Sequence, residues 1–317
     1  MSSEYQSLPL ATRQAAMSAA EALAPERSVD EVRESLSVTE KGQPANTIGN
    51  CRTVFCHDPL LRGAIRLNLL TDRVDIVQDL GWRRNTSALT DTDVKYLLLY
   101  FEQTYGLTSE KKMTAALSIV ANENCYHPIQ DMLNSLVWDG TPPRIRSCLH
   151  HFLGADESDY VEEMLKHFLL GAIRRVFRPG SKYEEMLCLV GGQGAGKSSF
   201  FRLLAIRDEW FSDDLKKLDD DRVYLKLQGH WIIEMSEMLA TSSAKSIEEI
   251  RSFISRQKET YRTPYEAQPK DRLRQCVFGG SSNTLDFLPL DRAGNRRFLP
   301  IMIYPENAEV HILEDED

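Results

Sequence analysis

Gly191-Gly192-Gln193-Gly194-Ala195-Gly196-Lys197-Ser198-Ser199 is the stretch of the chain whose residue types and spacing most plainly suit chemistry. It spells Gly-x-x-x-x-Gly-Lys-Ser. Glycines at this spacing let the backbone curl so that successive N–H groups point inward at phosphate oxygens, where a Cβ would collide. Lys197 is placed to reach β- and γ-phosphates and the Ser198 hydroxyl to ligate magnesium, while a helix starting near Lys197 adds its N-terminal dipole. The expected cofactors are ATP and Mg2+, cradled by residues 191–199. The alternative, an incidental glycine-rich turn, fits the flanks poorly. Met186–Val190 is an unbroken apolar run of the kind a buried strand needs, and Phe200, Phe201, Leu203 and Leu204 follow at helical spacing.

Three other groups suit the same chemistry. Trp231-Ile232-Ile233-Glu234 reads as a buried strand ending in a carboxylate, the position from which a phosphate-loop enzyme holds Mg2+ (the Walker B position). Glu237, three residues on, is placed to polarise the attacking water. Gln275-Cys276-Val277-Phe278 is a further candidate strand, followed by Gly279-Gly280-Ser281-Ser282-Asn283. An amide there can orient the water against the γ-phosphate, the sensor 1 role; a plain Gly/Ser/Asn turn is the competing reading. Arg296-Arg297 precede a candidate strand over Phe298–Ile303. An arginine from a neighbouring subunit can neutralise charge on the transferring phosphoryl group, and a salt bridge to local acids is the competing view.

The elements that must position these residues imply an α/β fold: a P-loop NTPase core with a parallel sheet, preceded by a mainly helical domain. Residues 1–45 read as a polar tail or linker with a helix over Ala11–Leu23, and 46–180 as the helical domain. Residues 181–304 read as the P-loop ATPase domain and 305–317 as an acidic tail. Thr90-Asp91-Thr92-Asp93 can cap one helix and Ser109-Glu110 start another, Arg66–Asp79 suggests short strands or turns, and Tyr160–Val176 returns to helical spacing. His127, Trp138 and Asp139 suit a packed turn better than a catalytic site.

Length and composition bound the rest. The 317 residues suffice for two cored units, and a net charge of −9 with 42% hydrophobic content describes an ordinary soluble protein. No apolar run suits a membrane span and no signal peptide is visible, so a cytoplasmic protein with reduced thiols is expected. The six cysteines form no CxxC pair, and Cys51, Cys56 and His57 lack a second pair at zinc spacing. Residues 251–300 carry ten Lys/Arg against five Asp/Glu, a basic segment in an acidic chain. Such a segment suits a threaded strand of nucleic acid better than a coated duplex.

In order, the motifs resemble those of virulence-associated E proteins. They are His127-Pro128, Trp138-Asp139-Gly140-x-x-Pro143-Arg144, Pro179-Gly180-x-Lys182, the 192–198 loop and Trp231-x-x-Glu234-x-x-Glu237. Phe253-Ile254-Ser255-Arg256, Tyr261-Arg262-x-Pro264-Tyr265, Asn283 with Phe287-Leu288, and Gly294-Asn295-Arg296-Arg297-Phe298 complete the set. The resemblance covers about residues 46–303. It implies an AAA+-like ATPase similar to superfamily 3 helicases, encoded by phages, prophages and mobile islands and serving their replication. It also implies a homo-oligomeric ring, single-stranded DNA as partner and a separate primase, since no primase module is recognisable at the front. Glu259 stands where relatives usually carry Asp, Ser281-Ser282 where they carry threonines, and relatives generally continue in helices past the end of this chain.

The segment 261–274 reads as an exposed loop or hairpin. Superfamily 3 relatives project such a hairpin into the ring channel, which makes Lys270 and Arg272 the candidates for backbone phosphate and Tyr265 for base stacking. An ordinary solvated loop is the alternative. A GTPase reading fails because Asp291-Arg292-Ala293-Gly294 follows Asn283-Thr284-Leu285-Asp286 instead of preceding it. The rival of another class is a non-motor DNA-binding or assembly protein that binds ATP with little turnover.

Overall fold

The computed structural model describes residues 27–141, 144–215, 218, 223–235, 244–261, 269–285 and 295–312. They fall into two units, divided after Asp131.

In the first unit, helices α1 (Val29–Glu34) and α2 (Ile48–His57) are followed by the antiparallel pair β1 (Ile65–Asn68) and β2 (Arg73–Ile76). Helices α3 (Asp91–Tyr105) and α4 (Glu110–Glu123) complete the core. The caps explain the helix starts. Ser28 with Glu31 and Thr90 with Asp93 each form a reciprocal capping box, and Thr47 accepts from the Asn50 amide. Val32 and Leu36 are buried in this core, so residues 27–45 belong to the unit, where the sequence suggested a tail. Asp58, wholly buried after α2, accepts from the amides of Leu60 (2.8 Å) and Leu61 (3.0 Å) and from the hydroxyls of Tyr100 (2.7 Å) and Tyr105 (2.5 Å).

Helix α5 (Pro128–Ser135) runs across the division. The second unit continues with α6 (Ile145–Leu153) and α7 (Asp159–Phe177), so the structure divides the chain well before the expected boundary near residue 180. The reason is packing. A Cβ on Gly171 of α7 would fall 2.2 Å from the Tyr183 ring, which leaves no space between that helix and the chain entering the sheet. Arg175, also on α7, is fully buried and donates to the carbonyls of Tyr183 (2.6 Å) and Cys276 (2.7 Å). Burial without a carboxylate partner pulls its guanidinium down to about 10.

The sheet comprises β3 (Met186–Val190), β4 (Phe211–Ser212), β5 (Ile232–Glu234), β8 (Val277–Ser282) and β9 (Phe298–Met302). All pairs are parallel, in the order β4-β5-β8-β3-β9. β3 is buried along its whole length, as its unbroken apolar run predicts for a strand covered on both faces. Helix α8 (Lys197–Leu204) follows β3, and α9 (Ala244–Ile254) leads into the antiparallel hairpin β6 (Lys258–Tyr261) and β7 (Lys270–Leu273). β8 extends through the glycines that suggest its end. A Cβ on Gly279 would lie 2.4 Å from the Phe201 ring, so α8 packs directly on the bare backbone.

Residues 303–312 are packed as well, unlike the free tail suggested for 305–317. Tyr304 donates its amide to Leu153 O (3.0 Å), Glu309 to His151 O (3.0 Å), and Ile312 is buried. Among the described residues no helix is long and apolar enough to cross a membrane.

Candidate functional site

The glycine-rich loop leaves β3 at its C-terminal end. The Gly191 amide donates to Ser282 O at 3.1 Å, and the Ile303 amide donates to Val190 O at 2.8 Å, so both neighbouring strands clamp the loop's start. A Cβ on Gly191 would come within 2.7 Å of Ile303 O, which only glycine avoids. Gly194 (φ 79°) and Gly196 (φ 78°) are left-handed and turn the chain into α8. On the loop's outer face, among the described residues, nothing lies within 4 Å of a Cβ built on Gly192 or Gly194. That side is open to a ligand.

Lys197, at the start of α8, is 9% exposed. Its ammonium donates to Gly191 O and Gly192 O, each at 2.7 Å, and to Asn283 Oδ1 at 3.2 Å. Burial lowers its pKa, and the negative charge of Glu234 works against that shift. Glu234 ends β5 and is 1% exposed. Its Oε1 accepts from Ser198 Oγ (2.8 Å) and from Ser281 Oγ, whereas Oε2 is buried and has no hydrogen-bond partner among the described residues. Burial pushes this carboxyl above its ordinary range. The two serine bonds and Lys197 oppose the rise, and the charge of Asp213 adds to it. Among the described residues no group of three or more His, Cys, Asp or Glu converges as a metal cluster.

Lys197, Ser198, Glu234 and Asn283 therefore meet at the edge where the parallel strands end. Arg296 and Arg297 do not join them. They precede β9 at its opposite end and pair with Glu184 at 3.7 and 3.5 Å. The five residues of β9 span roughly 16 Å at ~3.3 Å each, too far for either arginine to reach its own chain's loop. Lys270 and Arg272 lie on β7. Lys270 is exposed, and Arg272 donates to Tyr261 O (3.0 Å) with its guanidinium 4.4 Å from the Tyr261 ring centre. Glu237, Tyr265, Arg262 and the helix expected over 11–23 lie outside the described residues. His127 and Trp138 do not make a site: His127 is buried, while Trp138 is 71% exposed and Asp139 pairs with Arg144 at 3.2 Å.

Two members of the site escaped sequence reasoning. Ser281 stood in view two residues before Asn283, but its bond to Glu234 depends on β8 lying between β5 and β3. Asp213 follows β4, and pairing of Ser212 with Ile233 brings it level with Glu234. A two-residue strand leaves no periodic signal, so the segment reads as a charged connection.

A loop of left-handed glycines that joins an interior strand of a parallel sheet to a helix, faced by a buried carboxylate two strands away, defines a mixed α/β protein with its candidate site at the strand ends. Residues 133–316 match the virulence-associated protein E-like domain, more than half of the sequence, and the chain belongs to that family. No curated protein matches it. Among solved structures it is similar to the A-form apo structure of the NrS-1 C-terminal region (305–718), at 14% identity and TM-score 0.44, over 80% of this chain and 59% of that one. A second A-form apo structure of the NrS-1 C-terminal region matches at 14% identity and TM-score 0.44, over 80% of this chain and 60% of the other. The chain thus spans less than two thirds of either.

Proposed function

We propose that this protein is an ATP-hydrolysing P-loop ATPase that acts on DNA, a helicase-like motor serving replication of a phage or mobile element. The observation that carries the reading is the convergence of Lys197, Ser198, Glu234 and Asn283 beside an open glycine-rich loop.

Each residue has a role in that reading. The loop amides of 192–196 and the start of α8 receive the phosphates, and Lys197 exchanges its carbonyl partners for β- and γ-phosphate oxygens. Asn283, already in contact with Lys197, orients the attacking water. Glu237 or Glu234 takes up the proton of that water. The Glu234 carboxylate and Ser198 hydroxyl are hard oxygen donors, and the partnerless Oε2 is a lone-pair site available to a cation, so the pair fits Mg2+. When bound, Mg2+ would neutralise charge on the β- and γ-phosphates. Arg296 and Arg297, too distant to act in cis, would serve the site of a neighbouring copy in a ring. Lys270 and Arg272 on the hairpin would meet single-stranded DNA. The family resemblance supports the replication role.

Steady-state ATPase with and without single-stranded DNA tests the proposal. Wild type should turn over ATP and be stimulated by DNA. Lys197→Ala should be inactive yet folded, and Lys270→Ala with Arg272→Ala should lose only the stimulation. ATP binding without turnover under either condition would leave an assembly protein instead of a motor.

A further inference from the structure

At the edge of the sheet where the strands begin, opposite the glycine-rich loop, a cavity of about 320 Å³ is lined by Glu248, Arg251, Ser252, Ser255, Arg256 and Arg297. Three guanidinium groups share it. Arg251 projects from α9, Arg256 follows that helix, and Arg297 comes from the short turn before β9. Each is fixed by a nearby acid: Arg251 by Glu248 at 3.1 Å, Arg256 by Glu259 at 3.8 Å, Arg297 by Glu184 at 3.5 Å. Arg256 also donates to Tyr224 Oη at 2.9 Å. These contacts hold the groups in place. A guanidinium carries five N–H donors, and Arg297 Nε is buried with no hydrogen-bond partner among the described residues.

The remaining wall suits an anion too. Ser255 spends its hydroxyl proton on Arg251 O (2.7 Å), but Ser252 is exposed and can donate. Among the described lining residues Glu248 is the one carboxylate; its Oε2 accepts from Arg251 and its side chain is 73% exposed, so water screens its charge. Three guanidinium groups exceed what a singly charged phosphodiester needs. They match a terminal phosphate, which carries between one and two negative charges near neutral pH.

We propose that this cavity is a second anion site, taking the terminal phosphoryl group of a nucleotide or of inorganic pyrophosphate. It is separate from the ATP site proposed above and does not depend on it. The group arrives on a free nucleotide or as free pyrophosphate.

Calorimetric titration of the full chain with inorganic pyrophosphate tests it, with circular dichroism to verify folding. Wild type should bind pyrophosphate in two classes of site. Ser252→Glu adds an acid at an exposed position and removes no arginine; it should weaken one class at least tenfold. Lys197→Ala should weaken only the other, so failure of the ATP reading shows separately. Arg297→Gln should repeat the Ser252→Glu loss. Because the ligand is free, the affinity should not change when the protein is diluted. An unchanged pyrophosphate isotherm in folded Ser252→Glu would overturn the site. Weakened binding of a single-stranded oligonucleotide with pyrophosphate binding intact would assign the arginines to DNA and overturn it equally.

Discussion

Two carboxylates are buried to almost the same degree, Asp58 in the first unit and Glu234 in the second, yet their surroundings differ. Asp58 receives four hydrogen bonds, two on each oxygen. Glu234 receives both of its bonds on Oε1 and none on Oε2. A buried acceptor left empty costs free energy, and native structures seldom keep one without a use. The difference separates an acid that ties a helix end to its neighbour from one with an acceptor oxygen left open. Position agrees. Asp58 is enclosed by residues of its own core, while Glu234 sits where strands end and a glycine-rich loop opens.

The largest effects should come from exchanging each acid for its amide. Glu234→Gln keeps the shape but loses the charge and one lone-pair side, and should reduce Mg2+-dependent ATP hydrolysis at least ~100-fold while the chain stays folded. Asp58→Asn should leave turnover per folded molecule unchanged. It presents an NH2 group to donors that need an acceptor, which should cost roughly 2–4 kcal/mol in urea unfolding. Near-normal hydrolysis by Glu234→Gln, or an undiminished midpoint for Asp58→Asn, would break the contrast.

A smaller effect concerns pH. Because burial raises the Glu234 pKa on folding, the native state binds a proton more readily than the unfolded chain. Stability therefore falls as pH rises through the window between the unfolded and the raised folded value, and the penalty persists above it. Glu234→Gln removes that penalty. At pH 7 its Tm should exceed that of wild type, and the gap should close as the pH falls. Well below the ordinary glutamate pKa the two proteins should melt together. A lower Tm for the variant at pH 7 would mean that the charge is stabilising where it lies.

Only the Glu234 side of this contrast was legible in the sequence. Strand, glycine loop and helix follow from five apolar residues, the Gly-Lys-Ser spacing and the phenylalanine pair, because these are local patterns with fixed periods. The helix cap at Thr90–Asp93 and the carboxylate at the end of β5 were readable for the same reason. What escaped depends on which strands become neighbours. The Ser281 bond needs β8 inserted beside β5, and the place of Asp213 needs a two-residue strand at the sheet's margin. Asp58 escaped altogether, since an acid before proline reads as a turn until two tyrosines from another helix close over it.

The smallest expected effect isolates what Asp213 does to Glu234. Asp213 is exposed, stands level with Glu234 across the β4–β5 pair, and its charge adds to the upward push on the Glu234 carboxyl. Asp213→Asn removes that push without touching the serines that hold Oε1. If hydrolysis requires ionised Glu234, the acid limb of its pH profile should move to lower pH in the variant, with the plateau rate changed by less than about tenfold. The interaction passes near solvent, so salt should erase it: at ~1 M ionic strength the Debye length falls to about 3 Å and the two profiles should converge. No such salt-sensitive shift should follow from changes around Asp58, whose partners are all neutral donors. A plateau lowered 100-fold or more at both salt concentrations would give Asp213 a direct hold on the cation in place of an influence through Glu234.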